Sequence, residues 1–405
     1  HEMNRCIQCY RCSRFYQEFA GDMDLGVMGI AGRVYFGRHD DGVLESPFAG
    51  NVIDICPTGV YTDKPSRYFG RRWDYRRTPG VCINCSLGCH TTVSTRYRQI
   101  ARMEARYSNH VNGYFICDRG RYGFYYADRP ERPRKGRIRG NAVSPAKAIE
   151  NAAKRLSHIA ADSGPNAIGV IGSGRSSLET QASLVYLCRT TEWRGPVFVE
   201  SRATGQNVAA AVSALKAEIG VSMREIEAAD AILTIGADPL NEAPMLTLAM
   251  RQAWRAGAAV YAIDPRPLNW PLEFQKIISG TEQMHAHLEQ MADQLSGSKR
   301  PVVICGTEIT NPDIIGGAAK LVERLNQSGA SAGLFYTFSQ ANTYGATLLD
   351  ESGLNARDLI EKIEDGEIKA LVICESNLCW TYPDRARLQR GLAGLELLVA
   401  ADYLD

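Results

Sequence analysis

The sequence has 405 residues, of which 45% are hydrophobic and 22% are charged, and its formal net charge is +1. A chain of this length and composition can form two or three domains with large cores. It contains no run of 18 or more uncharged apolar residues, so a transmembrane helix is not expected. The small net charge hides an asymmetry, because residues 1–140 contain 23 basic and 14 acidic residues. Eight of the twelve cysteines also lie in this basic part.

The first predicted region, residues 1–70, is loop-rich and contains a cysteine triplet. Cys6, Cys9 and Cys12 follow the pattern C-x2-C-x2-C, and Cys56 in "DICPTG" is the candidate fourth ligand. Disulfides between such close cysteines would be strained. A [4Fe-4S] cluster needs four thiolates, and a tight loop with a distant Cys-Pro can supply them. Zinc is the alternative, although it usually takes two separated C-x2-C pairs.

The second predicted region, residues 71–137, repeats this arrangement. Cys82, Cys85 and Cys89 follow C-x2-C-x3-C, and Cys117 in "FICDRGRYG" supplies a fourth thiolate for a second [4Fe-4S] cluster. Gly88 is expected to allow a close backbone approach to the cluster sulfides. Two histidines, His90 and His1, are weaker candidate ligands, because four cysteines already complete each site.

The two expected clusters explain the excess of basic residues. Oxidised [4Fe-4S] clusters with four thiolates are anionic, and reduction adds further negative charge. Arginine side chains near them would favour the reduced form, and the candidates are Arg5, Arg11, Arg119 and Arg121. Nucleic-acid binding is not expected, since no motif for it is present.

From residue 138 onward, helical and strand patterns alternate. Ser144 followed by Pro145 predicts a helix start. Strand-length apolar runs follow in "AIGVIGSG", "ILTIG", "AAVYAIDPR", "PVVICGTE", "ALVICESN" and "LELLVAAD". The alternation predicts an α/β fold with doubly wound, mostly parallel sheets. The chain begins without Met and stops in an apolar strand, so we expect a fragment whose targeting signal lies outside it.

Two smaller patterns in this part have structural explanations. "GVIGSGRSS" begins like a dinucleotide-binding loop with Gly172 and Gly174, but the third glycine is missing, so a simple strand-to-helix turn is favoured. Cys374 and Cys379 are expected to be structural thiols, because no further ligand lies near them in sequence.

The two cysteine sets, joined by "DLGVMGIAGRVYFGRHDDGVLESPFAGNVIDICPTGVYTDKPSRY", resemble the 75 kDa-type family of large iron-sulfur subunits in bacterial respiratory complex I. This resemblance covers the whole chain and is closest through residue 137. It implies an electron-transfer subunit of an NADH-quinone oxidoreductase that passes electrons from NADH and flavin toward quinone. The first set would hold a cluster on the main electron path, and the second a cluster away from it.

The same resemblance implies partners and a location. The partners would be the other subunits of the peripheral arm of the complex. The location would be the cytoplasmic side of the bacterial inner membrane, with contact to the membrane only through the complex.

Residues 138–405 resemble the molybdopterin oxidoreductase superfamily through "IEAADAILTIGADPLNEAP" and "AWRAGAAVYAIDPRP", the latter containing Asp264. Active members bind molybdenum through a Cys or selenocysteine, whereas the matching stretch "VFVESRATGQNVAAAV" offers only Ser201 and Thr204. The resemblance therefore implies a C-terminally truncated, non-catalytic domain without molybdopterin or molybdenum. We expect no catalytic residue in this chain. The alternative is the alpha subunit of a molybdenum-dependent formate dehydrogenase, which shares the clusters and the fold.

Overall fold

A computed structural model describes residues 2–403. In chain order, the strands are β1 (Gly26–Met28), β2 (Tyr35–Gly37), β3 (Arg76–Val81), β4 (His90–Arg96), β5 (Gln99–Ala105), β6 (Gly136–Ile138), β7 (Asn141–Val143), β8 (Ile168–Ile171), β9 (Arg194–Val197), β10 (Ala231–Ile235), β11 (Ala259–Ile263), β12 (Gln275–Ile277), β13 (Pro301–Gly306), β14 (Gly333–Thr337), β15 (Ala370–Cys374) and β16 (Leu397–Ala401).

The α-helices cover the connections between these strands. In chain order they are α1 (Arg11–Ser13), α2 (Asn51–Ile55), α3 (Asp118–Tyr122), α4 (Pro145–Ser163), α5 (Leu178–Thr191), α6 (Arg202–Ala214), α7 (Met223–Glu227), α8 (Pro239–Glu242), α9 (Pro244–Arg255), α10 (Thr281–Leu295), α11 (Pro312–Gln327), α12 (Thr343–Leu349), α13 (Ala356–Glu364), α14 (Leu378–Thr381) and α15 (Arg385–Ala393). A π-helix, Arg14–Ala20, and short 3-10 turns complete the helical structure.

The chain divides into two compact units. The first unit comprises the residues up to Asp128 together with Ala214–Ser339. It contains both cysteine sets, the antiparallel sheet β3-β4-β5 and a five-stranded parallel sheet in the order β12-β11-β10-β13-β14. Its core is continuous from the cysteine regions to the parallel sheet, because Phe15, Tyr16, Cys89, Cys117 and Leu246 belong to one buried cluster.

The second unit comprises Arg129–Ser213 together with the residues from Gln340 onward. It is built on a four-stranded parallel sheet in the order β16-β15-β8-β9. Helix α13 covers this sheet through Leu359, Ile360 and Ile363, which belong to a buried apolar cluster.

The predicted α/β class with parallel sheets is confirmed, and each of the six predicted strands is present. The helix start at Ser144 is confirmed as well, since the Ser144 side chain accepts a hydrogen bond from the Lys147 backbone N–H. Strands β9, β12 and β14 were not predicted, because they are short or embedded in sequence without clear alternation. The domain boundaries at residues 70 and 137 stay a prediction.

No helix within residues 2–403 combines the length and the apolar character needed to cross a lipid bilayer. This agrees with the expectation from the sequence.

Candidate iron-sulfur sites

The four thiols of the first set line one cavity. Cys6 follows a 3-10 turn, Cys12 lies in α1, and Cys56 ends α2. Cys9 lies between Gln8 and Tyr10, whose φ angles of +55° and +59° put both in the left-handed region. The cavity is closed on its other side by Phe36, Pro57, Thr58, Val60 and Tyr61. The chain thus brings four sulfur donors around a space with largely apolar walls.

The environments of these four thiols differ. Cys12 is buried and Cys9 is exposed, while Cys6 and Cys56 are partly buried. Burial raises the pKa of Cys12 to about 11. Burial also opposes ionisation of Cys56, but N–H groups of Tyr61, Thr58 and Val60 outweigh it and lower the pKa of this thiol. The Val60 N–H donates to Cys56 Sγ over 3.3 Å, and the Gln8 N–H donates to Cys6 Sγ over 3.3 Å.

The second set lies at the end of a β-hairpin and at the start of a helix. The Cys82 N–H donates to the Cys89 carbonyl over 2.8 Å, so the β3–β4 pairing continues into the cysteine loop. Cys117 is the N-cap of α3, and its Sγ accepts from the Gly120 N–H over 3.4 Å. A side chain at Gly120 would lie 3.2 Å from Cys82 Sγ and 2.9 Å from Ile116. Glycine is therefore required by close approach to the sulfur site.

All four thiols of the second set are buried, with 3–7% of each residue exposed. Burial is the main cause that raises the pKa of Cys85, Cys89 and Cys117, the last to about 12. Negative charge on the neighbouring sulfurs of the set adds to this effect, while Arg119 opposes it at Cys85 and Cys117. Four buried sulfurs that influence one another this way need a cation to neutralise them when they ionise.

Three buried or half-buried polar side chains connect the loops that present the cysteines. The fully buried Asn51 donates to the carbonyls of Phe48 and Ile116 over 2.9 Å each and accepts from the Ile116 N–H. Asp118 Oδ1 accepts from the Gly50 N–H over 2.8 Å. Asn112 Oδ1 accepts from the His90 N–H over 2.8 Å. Sequence reasoning missed all three, since lone Asn and Asp residues in loop-rich sequence carry no distinguishing signal.

The arginines predicted near the sites divide into two groups. Arg11 lines the first cavity, and Arg119 acts on the second set. Arg119 also donates to the carbonyls of Asn241 and Glu242 over 3.0 and 2.9 Å. By contrast, Arg5 and Arg121 form ion pairs with carboxylates, namely Glu2 and Asp54. Their charge is therefore largely neutralised locally.

The lesser sequence expectations have different outcomes. His90 Nδ1 lies 3.2 Å from an Arg106 nitrogen, which gives the ring a structural partner. Gly88 has a φ of +62°, and a side chain there would meet only Val81, so backbone conformation supplies a reason for glycine at this position. His1 lies outside the described residues. Cys374 is partly buried and Cys379 exposed.

The geometry gives no support to the zinc alternative. Within residues 2–403, no three His, Cys, Asp or Glu side chains are grouped closely enough to hold one metal ion. A single tetrahedral zinc ion with bonds of about 2.3 Å would draw its thiolates to roughly 3.8 Å from one another. A [4Fe-4S] cluster is larger and holds its ligands farther apart.

The five-stranded sheet carries charged residues at the carboxyl ends of its strands, where parallel α/β sheets usually bind ligands. Glu242 Oε1 accepts from the Asp238 N–H and Arg266, and Glu242 Oε2 accepts from the Thr337 hydroxyl. Arg266 donates to both oxygens of Asp264 over 3.0 and 2.9 Å. These charged groups are therefore paired with one another.

Two further candidate ligand positions lie in the second unit, and both are occupied by internal hydrogen bonds. Ser201 Oγ lies 2.9 Å from Thr204 Oγ1 and accepts from the Thr204 N–H, so both hydroxyls serve the first turn of α6. The loop containing Gly174 is covered, since a side chain there would lie 2.8 Å from Gln340 and 2.9 Å from Thr343. The turn interpretation of this loop is thus favoured over dinucleotide binding.

Comparison with known protein families divides the chain into three matched parts. A model described as NADH-quinone oxidoreductase subunit 3, ferredoxin-like domain, matches residues 1–62. A molybdopterin oxidoreductase Fe4S4 domain matches residues 75–129, and molybdopterin oxidoreductase matches residues 134–404. Each cysteine set falls within a match to an iron-sulfur domain or a ferredoxin-like one. The expectation that the chain carries iron-sulfur clusters is thereby supported.

Curated relatives share one name, the G subunit of NADH-quinone oxidoreductase. The chain is 32% identical to this protein from Pseudomonas fluorescens and 33% identical to that from Shewanella oneidensis. The alignments take in all of this chain but only 49% and 50% of those proteins, so the chain spans about half the length of the curated relatives it matches. These matches confirm the resemblance drawn from the cysteine sets.

Among solved structures, acetylene hydratase from Pelobacter acetylenicus has a similar fold. The TM-score is 0.52 at 13% identity, and the match covers 80% of this chain and 60% of that one. At this identity the likeness concerns the fold alone. Because a molybdopterin oxidoreductase model matches well over half of its length, the chain belongs to the molybdopterin oxidoreductase family.

Proposed function

We propose that this chain is the electron-transfer part of the large iron-sulfur subunit, the G subunit, of an NADH-quinone oxidoreductase. In this role it passes electrons, received from NADH through flavin on other subunits, toward quinone. The observation that carries the proposal is the gathering of four thiols around one cavity in the first set and of four buried thiols in the second. The names of the full-length relatives favour this function over that of a formate dehydrogenase.

The ligands of the first [4Fe-4S] cluster would be Cys6, Cys9, Cys12 and Cys56, and those of the second would be Cys82, Cys85, Cys89 and Cys117. Each cluster, when bound, supplies a site that accepts and releases one electron. No residue of this chain needs to touch a substrate, so none is assigned a catalytic role.

The chain's own residues would tune the two sites. N–H groups that donate to thiolate sulfur stabilise added negative charge and so favour the reduced state. Gln8 and Val60 provide such donors in the first set, and Gly120 and Asn84 provide them in the second. The Arg119 guanidinium adds positive charge beside the second set.

We further propose that the molybdopterin oxidoreductase fold of this chain holds neither pterin nor molybdenum. Pterin nucleotide binding at the five-stranded sheet would need free polar groups, but Glu242, Asp264 and Arg266 satisfy one another. A molybdenum ligand is also missing, because the Ser201 and Thr204 hydroxyls are engaged with each other. The residues present therefore do not fit the cofactor, and the fold serves as a scaffold.

As part of such an enzyme, the chain would associate with other subunits of the peripheral arm. Its place would be the cytoplasmic side of the bacterial inner membrane, and no nucleic-acid partner is proposed.

Metal analysis and electron paramagnetic resonance test the proposal. Anaerobically prepared chain should contain about eight iron ions and eight sulfides, as two [4Fe-4S] clusters require, with neither zinc nor molybdenum. After dithionite reduction, Cys9→Ala should remove one resonance signal and leave the other. The matched control is Cys379→Ala, which removes an exposed cysteine outside both sets and should leave both signals. Loss of both signals, or of neither, in Cys9→Ala would contradict the assignment of ligands to separate sites.

A further inference from the structure

An exposed surface of the first unit combines arginine and aromatic side chains. Residues 64–98, between the triplets of the two cysteine sets, contain eight basic residues and one acidic residue, Asp74. Within this stretch Tyr68, Trp73 and Tyr97 are 87%, 76% and 75% exposed. We use the name arginine–aromatic patch for the six residues Arg67, Tyr68, Arg71, Trp73, Arg96 and Tyr97.

The six residues of the patch form three cation–π pairs. The guanidinium carbons of Arg67, Arg71 and Arg96 lie 5.1, 5.4 and 4.5 Å from the ring centroids of Tyr68, Trp73 and Tyr97, respectively. Pairs of this kind occur roughly once per 70–80 residues in proteins. Three of them within residues 67–97 therefore form a concentration.

Hydrogen bonds join the parts of the patch into one surface. Arg96 Nη1 donates to the Phe69 carbonyl over 2.7 Å, and Arg96 Nη2 lies 3.6 Å from Asp74. The rings of Phe69 and Tyr97 meet edge to face with centroids 6.4 Å apart. Asp74 also accepts from the Arg71 N–H over 2.9 Å. The loop that carries Tyr68 and Trp73 is thus fixed against the tip of the β4–β5 hairpin.

The tip of this hairpin is conformationally unusual. Tyr97 and Arg98 have φ angles of +52° and +64°, so both adopt the left-handed region. Two-residue hairpin turns of this kind favour Asn and Gly, and another residue costs roughly 1 kcal/mol there. Backbone conformations of this kind concentrate at functional sites. Here the turn presents a tyrosine and an arginine to solvent.

We propose that the arginine–aromatic patch docks an acidic surface of another protein. Trp, Tyr and Arg are the residue types that dominate the energy of protein interfaces, and the excess of basic residues over Asp74 selects a partner rich in Asp and Glu. The edge strand β3 next to the patch contains Pro79 and exposed arginines, which oppose backbone pairing. Recognition is therefore assigned to the side chains. The inference rests on the proposed function only in identifying the partner as a subunit of the same enzyme.

The patch suits protein better than the other anionic partners. Single-stranded nucleic acids stack bases on free aromatic faces, whereas a guanidinium covers one face of each ring here. Membrane-surface binding buries apolar side chains below the headgroups, and a charged group above each ring opposes that burial.

Photo-cross-linking in the intact enzyme tests the docking. In the full-length subunit, Trp73 is replaced by p-benzoylphenylalanine, and the enzyme is irradiated in native membranes. We expect one cross-linked protein whose captured peptide is rich in Asp and Glu. Adding Arg71→Glu and Arg98→Glu should lower the yield roughly tenfold, as expected for the loss of paired interface charges.

The matched control position is Tyr114, which is 72% exposed. It follows β5, and the opposite end of the β4–β5 hairpin carries the patch. The same photoreactive residue at position 114 should not capture the acidic protein. Equal capture from both positions, a cross-link to phospholipid or nucleic acid, or no protein product from position 73 would overturn the inference. Unchanged cluster resonance signals would show that the variants fold.

The outcomes also separate the two proposals. Capture of an acidic protein that is not part of an NADH-quinone oxidoreductase would support the docking surface and contradict the proposed function. Two clusters with no capture from position 73 would do the reverse.

Discussion

The two cysteine sets have the same number of thiols but are built in different ways. The first is a loop with two left-handed residues around an exposed Cys9, and its cavity is walled by side chains from three separate segments. The second is held between a continued β-ladder and the N-terminus of α3, and its thiols are 3–7% exposed. An open site suits exchange of electrons with a partner, while an enclosed site contributes to the core.

The largest effect that tests this comparison is the rate of thiol alkylation in the cluster-free chain. Iodoacetamide at pH 8 should modify Cys9 about a thousandfold faster than Cys117, because Cys117 is buried and burial raises its pKa to about 12. Mass spectrometry of quenched samples gives the rates. Within the same chain, exposed Cys379 and buried Cys188 are internal references. Similar rates for Cys9 and Cys117 would remove the distinction between an open and an enclosed set.

The second prediction concerns the link between the sets. Asn51→Ala removes the hydrogen bonds to Phe48 and Ile116 and leaves buried backbone groups unpaired. We expect the free energy of unfolding to fall by about 3 kcal/mol, measured by urea denaturation. Asn109→Ala, which changes an exposed asparagine, should alter it by less than about 0.5 kcal/mol. Equal effects would mean that Asn51 does not connect the two regions energetically.

The third prediction uses pH. Burial raises the pKa of Asp118 to about 6, while the Gly50 N–H and Arg121 oppose that shift. The folded state therefore binds a proton that the unfolded state releases above its ordinary pKa, so this carboxyl lowers stability as the pH rises through about 4 to 6.

The test compares cluster-free wild type with Asp118→Asn. Relative to the variant, the wild type should lose about 2 kcal/mol of unfolding free energy between pH 4 and pH 6.5, measured by chemical denaturation. Asp41→Asn, at an exposed carboxyl, serves as the control. A constant difference between wild type and Asp118→Asn across this range would contradict the pKa shift.

The smallest effect concerns the reduction potentials. Asn84 Nδ2 lies 3.6 Å from Cys82 Sγ, and Thr58 Oγ1 lies 4.0 Å from Cys56 Sγ. Losing one donor of about 1 kcal/mol should lower the potential of a one-electron couple by about 40 mV. Redox titration should thus show Asn84→Ala shifting only the second cluster. Thr58→Val should shift the first by less, because its contact is longer. A shift of both clusters in either variant would show that the sites are not electrically separate.

Much of the architecture was predictable from the sequence because local chemistry specified it. The spacing of Cys6, Cys9 and Cys12 indicated a cluster loop, and Ser144–Pro145 marked a helix start that the Ser144 hydrogen bond confirms. The parallel sheets followed from apolar runs such as "ILTIG". In each case, the deciding residues are neighbours in the chain.

What could not be predicted depends on residues distant in sequence. The Asn51 side chain bonds to Ile116, 65 positions away, and Arg119 bonds to the carbonyls of Asn241 and Glu242. Nor does the sequence indicate that Arg121 is paired with Asp54 while Arg11 faces the first cavity. Pairing of charges is decided by the tertiary fold, which a count of arginines does not contain.

The carboxylate of Glu242 has a consequence for how the protein matures in the cell. By bonding to Arg266 and Thr337, it supplies from the polypeptide itself the negative charge at the rim of the five-stranded sheet. This rim can reach its final arrangement during synthesis, without waiting for delivery of an organic prosthetic group. Assembly would then depend only on the supply of iron and sulfide, so a cell unable to make pterins should still accumulate this chain at normal abundance.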